Sequence, residues 1–245
     1  MSDDEWAFFE QFVAAIRGRG GRKPKDHRRV LDGIFWIART GAQWRDLPEE
    51  FGKWISVYQQ FRRWSQAGLW ELILSVLNDS TSLPSSVHMI DSAVIRAHQQ
   101  AAGGKRGTQK QGFGRSKGGF TTKVHLIANI MGLPIRLEIS GGEVSDYKGY
   151  DILYDAGGPT AKVLIADRGY DGDRIREHCQ ANGGTAVIPG RRSRKEPIEI
   201  DHFIYVLRNQ VERCFNKLKT ARRVATRYDK TACSYLGFLH IAAVR

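Results

Sequence analysis

The sequence predicts an α/β protein in which a mixed sheet flanked by helices follows a small all-α, helix-turn-helix-like region. All six tryptophans lie within the first 70 of the 245 residues, which indicates two regions with different cores. Amphipathic helical spacing gives way after residue 86 to β-branched and apolar runs. Two hairpin strands then precede alternating strands and helices, which is the order of a mixed sheet. We therefore predict a helical region at 1–78, a linker at 79–86 and an α/β region at 87–245.

The helical region divides into four predicted helices. Apolar residues at helical spacing place them at 3–17, 27–39, 55–66 and 69–79, with a basic loop at 18–26. Gly41 and Gly68 follow the second and third helices, and glycine commonly ends a helix. Short helices joined by turns, with Arg62 and Arg63 on the third, are typical of a helix-turn-helix-like module that contacts DNA. A helical bundle with solvated charges is the alternative.

The α/β region begins after the linker with a predicted strand at 87–97. Further strands are predicted at 120–130, 134–140, 162–167 and 185–189, and helices at 145–156, 173–183 and 204–219. The second and third strands form a hairpin, because residues 129–133 between them include Gly132. A loop at 101–119 is rich in Gly, Lys, Arg and Gln and shows no apolar core, and a second basic loop lies at 191–197.

Charge and composition restrict the class of partner. The net charge of +12 favours a polyanion such as DNA, RNA or an anionic membrane surface. No apolar run approaches the roughly 18 residues of a spanning helix, and the acidic N-terminus lacks a signal-peptide pattern, so we expect no membrane partner. The three cysteines show no C-x-x-C spacing and are odd in number, which supports neither a disulfide framework nor a zinc knuckle and fits a reducing cytoplasm.

The predicted helix at 204–219 holds a carboxylate between cations. Tyr205, Arg208, Glu212 and Lys219 fall within roughly 60° of one another at 100° per residue, and Asn216 lies on the same stripe. The adjacent arc is apolar and consists of Ile204, Leu207, Val211, Cys214, Phe215 and Leu218. This helix therefore packs its apolar side inward, and Glu212 lies next to that side. Glu212 is either a functional acid or a member of a surface salt bridge.

Two further acids lie in or directly after apolar strands. Asp91 lies inside HMIDSAVI, where a carboxylate needs a cation or a cap from backbone amides. Asp167 ends the strand VLIAD, and ligand sites in α/β sheets collect at the carboxyl ends of strands, although an ordinary strand-end aspartate is the alternative. Asp171 and Asp173 are rival ligands, and Asp173 is favoured as the N-cap of the next helix. The three acids together fit a magnesium-dependent phosphoryl-transfer site.

Cations surround these acids in sequence and predict phosphate contacts with DNA. The predicted DNA-binding residues are Arg62, Arg63, Lys105, Arg106, Arg115, Lys117, Lys123, Arg191, Arg192, Lys217, Arg222 and Arg223. A solvated charged surface is the alternative for some of them. His98 and His125 are open as metal ligands, although a strand histidine more often forms only hydrogen bonds.

The chain resembles the IS5 family of bacterial insertion-sequence transposases, which belongs to the DDE superfamily. The segment 28–71 is similar to that family's N-terminal domain, and DSAVIRAHQQAAGGKRG and GRSKGGFTTKVHL are similar to its first catalytic block. IADRGYD is similar to the second block, and YVLRNQVERCFNKLK carries the complete Y-x2-R-x3-E-x6-K signature of the third. These segments run over most of the chain.

The resemblance implies an RNase H-like catalytic domain with Asp91, Asp167 and Glu212 as its catalytic, metal-binding triad. It implies two Mg²⁺ ions, with Mn²⁺ as a substitute, that activate water to cut a DNA strand at the transposon end. The freed 3′-hydroxyl would then attack target DNA without a covalent protein–DNA intermediate. Tyr205, Arg208 and Lys219 would be supporting residues of the signature.

The resemblance also implies double-stranded DNA as the partner, both as terminal inverted repeats and as target. Several copies of the chain would assemble on that DNA, in the bacterial cytoplasm at the nucleoid. Family members continue beyond the apolar run at 236–245, so we expect the C-terminal end to be truncated.

Other functions stay open at this point. An inactive DNA-binding remnant or repressor would bind DNA without needing magnesium. An RNase H-like nuclease unrelated to transposition would cut without end specificity. A carboxylate-pair glycosidase would also use two acids, but the basic charge gives no reason for a sugar substrate.

Overall fold

The computed structural model describes residues 1–16, 26–80, 86–102, 107, 109–154 and 161–245. The predicted basic loop at 18–26 and the linker at 79–86 lie largely outside these ranges, so the division of the chain into two regions stays a prediction. No helix within these ranges is both long and apolar enough to cross a membrane.

The N-terminal part of the chain is helical, as predicted. Helices α1 to α4 span Asp3–Ala15, His27–Thr40, Trp54–Gln66 and Leu69–Ser80. Ser2 caps α1 through a reciprocal pair of hydrogen bonds with Glu5. Gly41 ends α2 with a φ of 69°, in the left-handed region that glycine adopts without strain. Two 3₁₀ turns, Trp44–Asp46 and Glu49–Phe51, connect α2 to α3.

A six-stranded mixed sheet forms the centre of the following part. Strands β1 to β6 span Val87–Arg96, Gly114–Ser116, Gly119–Ala128, Pro134–Gly141, Val163–Ile165 and Thr185–Val187. β3 pairs antiparallel with β1, β2 and β4, whereas β5 pairs parallel with β1 and with β6. The hairpin of β3 and β4 turns at Gly132, where φ is 72°. The predicted hairpin is therefore confirmed.

Helices flank this sheet and complete the predicted α/β class. Helices α5 to α10 span Asp146–Tyr154, Asp173–Ala181, His202–Tyr205, Asn209–Lys219, Arg222–Ala225 and Ala232–Ala243. The mixed sheet flanked by helices is thus confirmed. The short helix α9 has no counterpart among the predicted elements.

Two local features differ from the prediction. The helix predicted at 204–219 contains a 3₁₀ turn at Val206–Arg208, although Val206 and Arg208 keep right-handed helical dihedral angles.

The loop at 101–119, predicted to lack an apolar core, contains β2 and a buried Phe113 that stacks on Phe120 with centroids 4.7 Å apart. The guanidinium of Arg227 lies 3.5 Å above the Phe113 ring. Local sequence could not show this burial, because Arg227 comes from a distant segment.

Apolar side chains form two cores, one on each face of the sheet. Neighbouring residues of β1 alternate between them, with Met89 in the larger core and Ile90 in the smaller. Helices α8, α10 and the N-terminal helices contribute to the larger core, and α5 and α6 contribute to the smaller. Phe61 of α3 stacks on Phe238 of α10 at a centroid distance of 4.4 Å. The N-terminal helices and the C-terminal helix therefore share one core.

Candidate active site

Asp91 and Asp167 lie close together because β1 and β5 run parallel. Met89 of β1 pairs with Ile165, the last residue of β5. Asp167 follows the end of β5 as the cap of a 3₁₀ turn. Asp91 lies two residues beyond Met89 in β1, near enough that the carboxylate of Asp167 raises its pKa. Asp167 then accepts a hydrogen bond from the amide of Gly169 at 2.7 Å, which stabilises the turn that leaves the sheet. Asp167 therefore lies after the carboxyl end of a strand, where α/β proteins bind ligands, and Asp91 lies near it inside β1.

Arg208 connects Asp91 with the third predicted acid. Its guanidinium donates to Asp91 Oδ2 at 3.3 Å and to Glu212 Oε1 at 2.7 Å. Helix α8 packs against β1 and β3, with its apolar side buried as predicted. Arg208, the residue before α8, reaches Asp91 from the end of this helix, so Asp91 and Glu212 share one cation.

The carboxyl group of Asp91 is poorly solvated and lies among like charges. Its side chain is 16% exposed. The pKa of Asp91 is raised to about 6, chiefly by burial. The amide of Ser92 and the Arg208 guanidinium oppose this rise, and the carboxylates of Asp167 and Asp146 add to it. An additional cation would therefore stabilise the ionised form of Asp91.

A fourth acid, Asp146, belongs to the same cluster but does not stand out in the sequence. It accepts hydrogen bonds from Lys123 Nζ at 3.1 Å and from the Ser92 hydroxyl. A Cβ at Gly169 would lie 2.8 Å from Asp167 Oδ1 and 2.9 Å from Asp146 Oδ2, so both carboxylates face this glycine. In the sequence Asp146 looks like any acid at a helix start, because its partners come from β1 and β3.

Arg191 of the basic loop stabilises the turn that follows Asp167. Its guanidinium donates to the carbonyl oxygens of Arg168 and Gly169 at 3.2 and 3.0 Å. The arginine predicted to contact DNA thus already has partners in the turn that positions Asp167.

The two rival acids have structural partners. The side chain of Asp171 is 1% exposed and pairs with Arg176 and Arg194 at 2.8 and 3.2 Å. Asp173 also pairs with Arg194. The predicted N-cap role of Asp173 is wrong, because Gly172, in an extended conformation, is the N-cap of α6 and Asp173 is the first helical residue.

A cleft of about 350 Å³ opens beside Asp167. It is lined by Asp167, Arg168, Pro189, Ile200, His202, Tyr205 and Arg208. A second cleft of about 640 Å³ shares Arg168 and His202 with the first and continues along Arg191, Arg192 and Arg194. Two signature residues, Tyr205 and Arg208, therefore border the same opening as Asp167, next to a surface rich in arginine.

The cations predicted to contact DNA occupy different environments. Exposed ones are Arg62, Arg63, Arg115, Lys117, Arg191, Arg192, Lys217 and Arg222. Lys123 is buried against Asp146 rather than spread on the surface. Lys219 of the signature is exposed, with its Nζ 5.9 Å from the centre of the Phe215 ring. Lys105 and Arg106 lie outside the described residues.

Arg223 requires a correction, because it is 6% exposed and forms a bidentate pair with Asp229. Both hydrogen bonds measure 3.0 Å. Its Nη1 also donates to the carbonyl oxygen of Ala42 at 3.1 Å. A guanidinium whose donors are used in the interior does not reach a DNA phosphate, so we assign Arg223 a structural role.

The two histidines left open as metal ligands form hydrogen bonds. His125 is fully buried, its Nε2 lies 2.8 Å from Ser140 Oγ, and burial lowers its pKa to about 4. His98 Nδ1 accepts from the amide of Gln100 at 3.3 Å. Nδ1 of His125 is buried and has no hydrogen-bond partner among the described residues.

The acids supply the type of oxygen ligand that binds a divalent cation, although their side chains are not spaced to hold one in this structure. Within the described ranges, no three His, Cys, Asp or Glu side chains converge closely enough to hold a metal ion. Arg208 lies between Asp91 and Glu212 instead. Carboxylate oxygens are the hard ligands that magnesium prefers, and the raised pKa of Asp91 marks a carboxylate short of positive charge. The donor set therefore suits magnesium.

Family comparison matches the chain over nearly its full length. The family described as "Transposase DDE domain" matches residues 82–244. A second family, described as "Putative transposase of IS4/5 family", matches residues 1–74. All three predicted acids lie inside the first of these matches.

Curated relatives come from several bacteria. The chain is 37% identical over 124 residues to "Putative transposase for insertion sequence element IS6501" of Brucella ovis, covering 50% of this chain and 95% of that protein. It is 33% identical over 107 residues to "Insertion element IS402 uncharacterized 16.2 kDa protein" of Burkholderia cepacia, covering 40% and 73%.

Solved structures show weaker likenesses. One is the piggyBac transposase synaptic complex with hairpin DNA, with a TM-score of 0.48 and 13% identity over 98% of this chain and 69% of that one. Another is the Mos1 strand transfer complex, with a TM-score of 0.29 and 12% identity over 96% and 81%.

Proposed function

Because the chain belongs to the family of transposases with a DDE domain, we propose that it is the transposase of a bacterial insertion sequence. It hydrolyses DNA strands at the ends of its element and transfers the freed 3′-hydroxyl to target DNA. The observation that supports this proposal is the proximity of Asp91 to Asp167, whose carboxylate raises the pKa of Asp91. Arg208 adds Glu212 to the same group.

Asp91, Asp167 and Glu212 would hold Mg²⁺, with Mn²⁺ as a substitute. Two such ions stabilise the attacking and leaving oxygens of an in-line displacement. Arg208 neutralises Asp91 and Glu212 and, by turning to a DNA phosphate, would release both for the cations. Tyr205 and Lys219 would help to position the DNA strand beside them.

The exposed cations would hold the DNA backbone. The proposed phosphate contacts are Arg63, Arg115, Lys117, Arg192, Lys217 and Arg222, and Arg62 is proposed to contact DNA as well. We propose that several copies of the chain assemble on the DNA, so that each of the two element ends meets a catalytic site. The protein would act at the bacterial nucleoid.

A cleavage assay tests the proposal. The substrate is DNA carrying the genomic sequence that flanks the gene, with magnesium or manganese, and binding is measured in parallel by mobility shift. We expect Asp167→Asn to abolish strand cutting and to leave DNA affinity nearly unchanged, because it removes a metal ligand and no phosphate contact. Asp173→Asn is the matched control, since Asp173 is an exposed aspartate six residues away, and it should keep full cutting.

Cutting by Asp167→Asn would contradict the assignment of the acids.

A second function is favoured by one observation, namely that Arg208 occupies the space between Asp91 and Glu212. In that case the chain is a DNA-binding protein without catalysis. Binding without cutting, by both the parent and Glu212→Gln, would establish this alternative.

A further inference from the structure

Helix α3 presents one narrow face directly away from the core. Its inward face is formed by the buried residues Val57, Phe61 and Trp64. At 100° per residue, the opposite arc of about 60° contains four side chains. They are Ile55, Gln59, Arg62 and Gln66, all of which are exposed.

The residue types on this arc are those that recognise base edges. Arginine pairs with the two acceptors of guanine, glutamine pairs with adenine, and an apolar side chain contacts the thymine methyl group. Helix α3 contains no aspartate or glutamate, so no charge on it would repel a phosphate backbone. A length of 13 residues, or about 20 Å, suits a helix in the major groove.

The arc is held on a rigid support. Phe61 stacks on Phe238 at 4.4 Å between centroids, and Trp64 meets Trp70 edge to face at 5.8 Å. The Arg62 guanidinium lies 5.9 Å from the centre of the Tyr58 ring, which limits its freedom. Recognition side chains need such support, because a small displacement removes bidentate hydrogen bonds.

Arg63 differs from its neighbour. It lies about 100° further round the helix than Arg62, and its Nη2 donates to Gln60 Oε1 at 2.7 Å. From this flank it would meet the DNA backbone rather than the floor of the groove.

We infer that α3 reads DNA sequence in the major groove, with Gln59, Arg62 and Gln66 contacting base edges. Ile55 meets a thymine methyl group at the same face, and Arg63 contacts a phosphate. A protein partner fits this arc less well, because Ile55 is its one apolar residue. The inference rests on the DNA binding proposed above and adds which residues select the sequence.

The test is a binding selection with the full-length protein in EDTA. The probe is a double-stranded oligonucleotide library with a random central segment. The parent should enrich a defined sequence. Arg62→Ala should lower its preference for that sequence over variants at one or two base pairs by about 10- to 100-fold. The matched control Arg63→Ala should lower the affinity for all sequences alike and reduce the salt dependence by about one phosphate contact.

Other results would overturn the inference. A parent that enriches no sequence, or an Arg62→Ala protein with unchanged base preference, contradicts sequence reading by α3. Both arginines are exposed, so thermal unfolding should confirm that the variants fold like the parent. The selection needs no cutting, and loss of cutting with a normal selection would therefore contradict the proposed enzyme and leave the inference about α3 intact.

Discussion

At the scale of a single residue, Asp91 couples folding to pH. Its pKa of about 6 in the folded protein lies above the ordinary value of 3.8, so between these values the folded state binds a proton that the unfolded state releases. The stability contributed by the protonated carboxyl is complete below pH 3.8 and is lost as the pH rises through 6. At neutral pH the ionised Asp91 therefore destabilises the metal-free protein.

Replacement of Asp91 by asparagine should remove this dependence. We compare the free energy of unfolding of Asp91→Asn with that of the parent. This difference should shift in favour of the variant by about 2 kcal/mol between pH 4 and pH 8. Urea unfolding in EDTA across this range measures the difference. Asp173→Asn, at a side chain that is 69% exposed, serves as the control. A difference in free energy of unfolding between Asp91→Asn and the parent that does not change with pH would contradict the raised pKa of Asp91.

Substitution of the neighbouring residues Arg222 and Arg223 should change stability to very different extents. Arg223 is buried with Asp229, and removing one partner of a buried pair leaves an uncompensated charge. Arg223→Met should therefore lower the free energy of unfolding by about 3 kcal/mol or more, whereas exposed Arg222→Ala should change it by less than about 0.5 kcal/mol. Urea unfolding measures both, and equal effects would mean that Arg223 is not the structural residue of the two.

At the scale of elements, strands with apolar or β-branched residues were predictable, including the three-residue β5 and β6, whereas β2 was not. β1 and the β3–β4 hairpin have runs of β-branched and apolar residues, and Gly132 marks the turn between the hairpin strands. Strand β2 is only the three residues Gly114–Ser116, which form a strand because β3 offers its edge. The 3₁₀ turn at Val206–Arg208 likewise has no signal in a regular apolar periodicity.

The same limit applies to the candidate site. Asp91 and Asp167 stand out because each lies in or after an apolar strand, and parallel pairing then sets them side by side. Asp146 has no such local context, since its role depends on Ser92 and Lys123 in other strands. Burial also separates Arg223 from Arg222, and no local pattern distinguishes two adjacent arginines.

The contact between the basic loop and the Asp167 turn is a prediction about elements. Arg191→Ala removes the two hydrogen bonds to the carbonyl oxygens of Arg168 and Gly169. We expect amide hydrogen exchange in residues 168–171 to accelerate about fivefold or more. Arg192→Ala, at the exposed neighbouring position, should leave exchange there unchanged. Similar protection in both variants would show that the loop does not stabilise the turn.

At the scale of the whole molecule, the net charge of +12 predicts an affinity for DNA that depends on salt. Neutralisation of phosphates by lysine and arginine releases condensed counterions, so the affinity should fall steeply with salt. We expect a loss of at least about 100-fold between 50 and 200 mM salt, measured by fluorescence anisotropy with duplex DNA in EDTA. A nearly flat dependence would contradict an interface made mainly of phosphate contacts.

The stacking of Phe61 on Phe238 has a consequence for synthesis on the ribosome. The apolar side of α3 leaves the exit tunnel long before its partner in α10 has been translated. At elongation rates of roughly 5–20 residues per second, that delay lasts about 10–35 s. During this interval the nascent N-terminal helices expose apolar surface, so chaperone binding to the unfinished chain should depend on how soon α10 emerges.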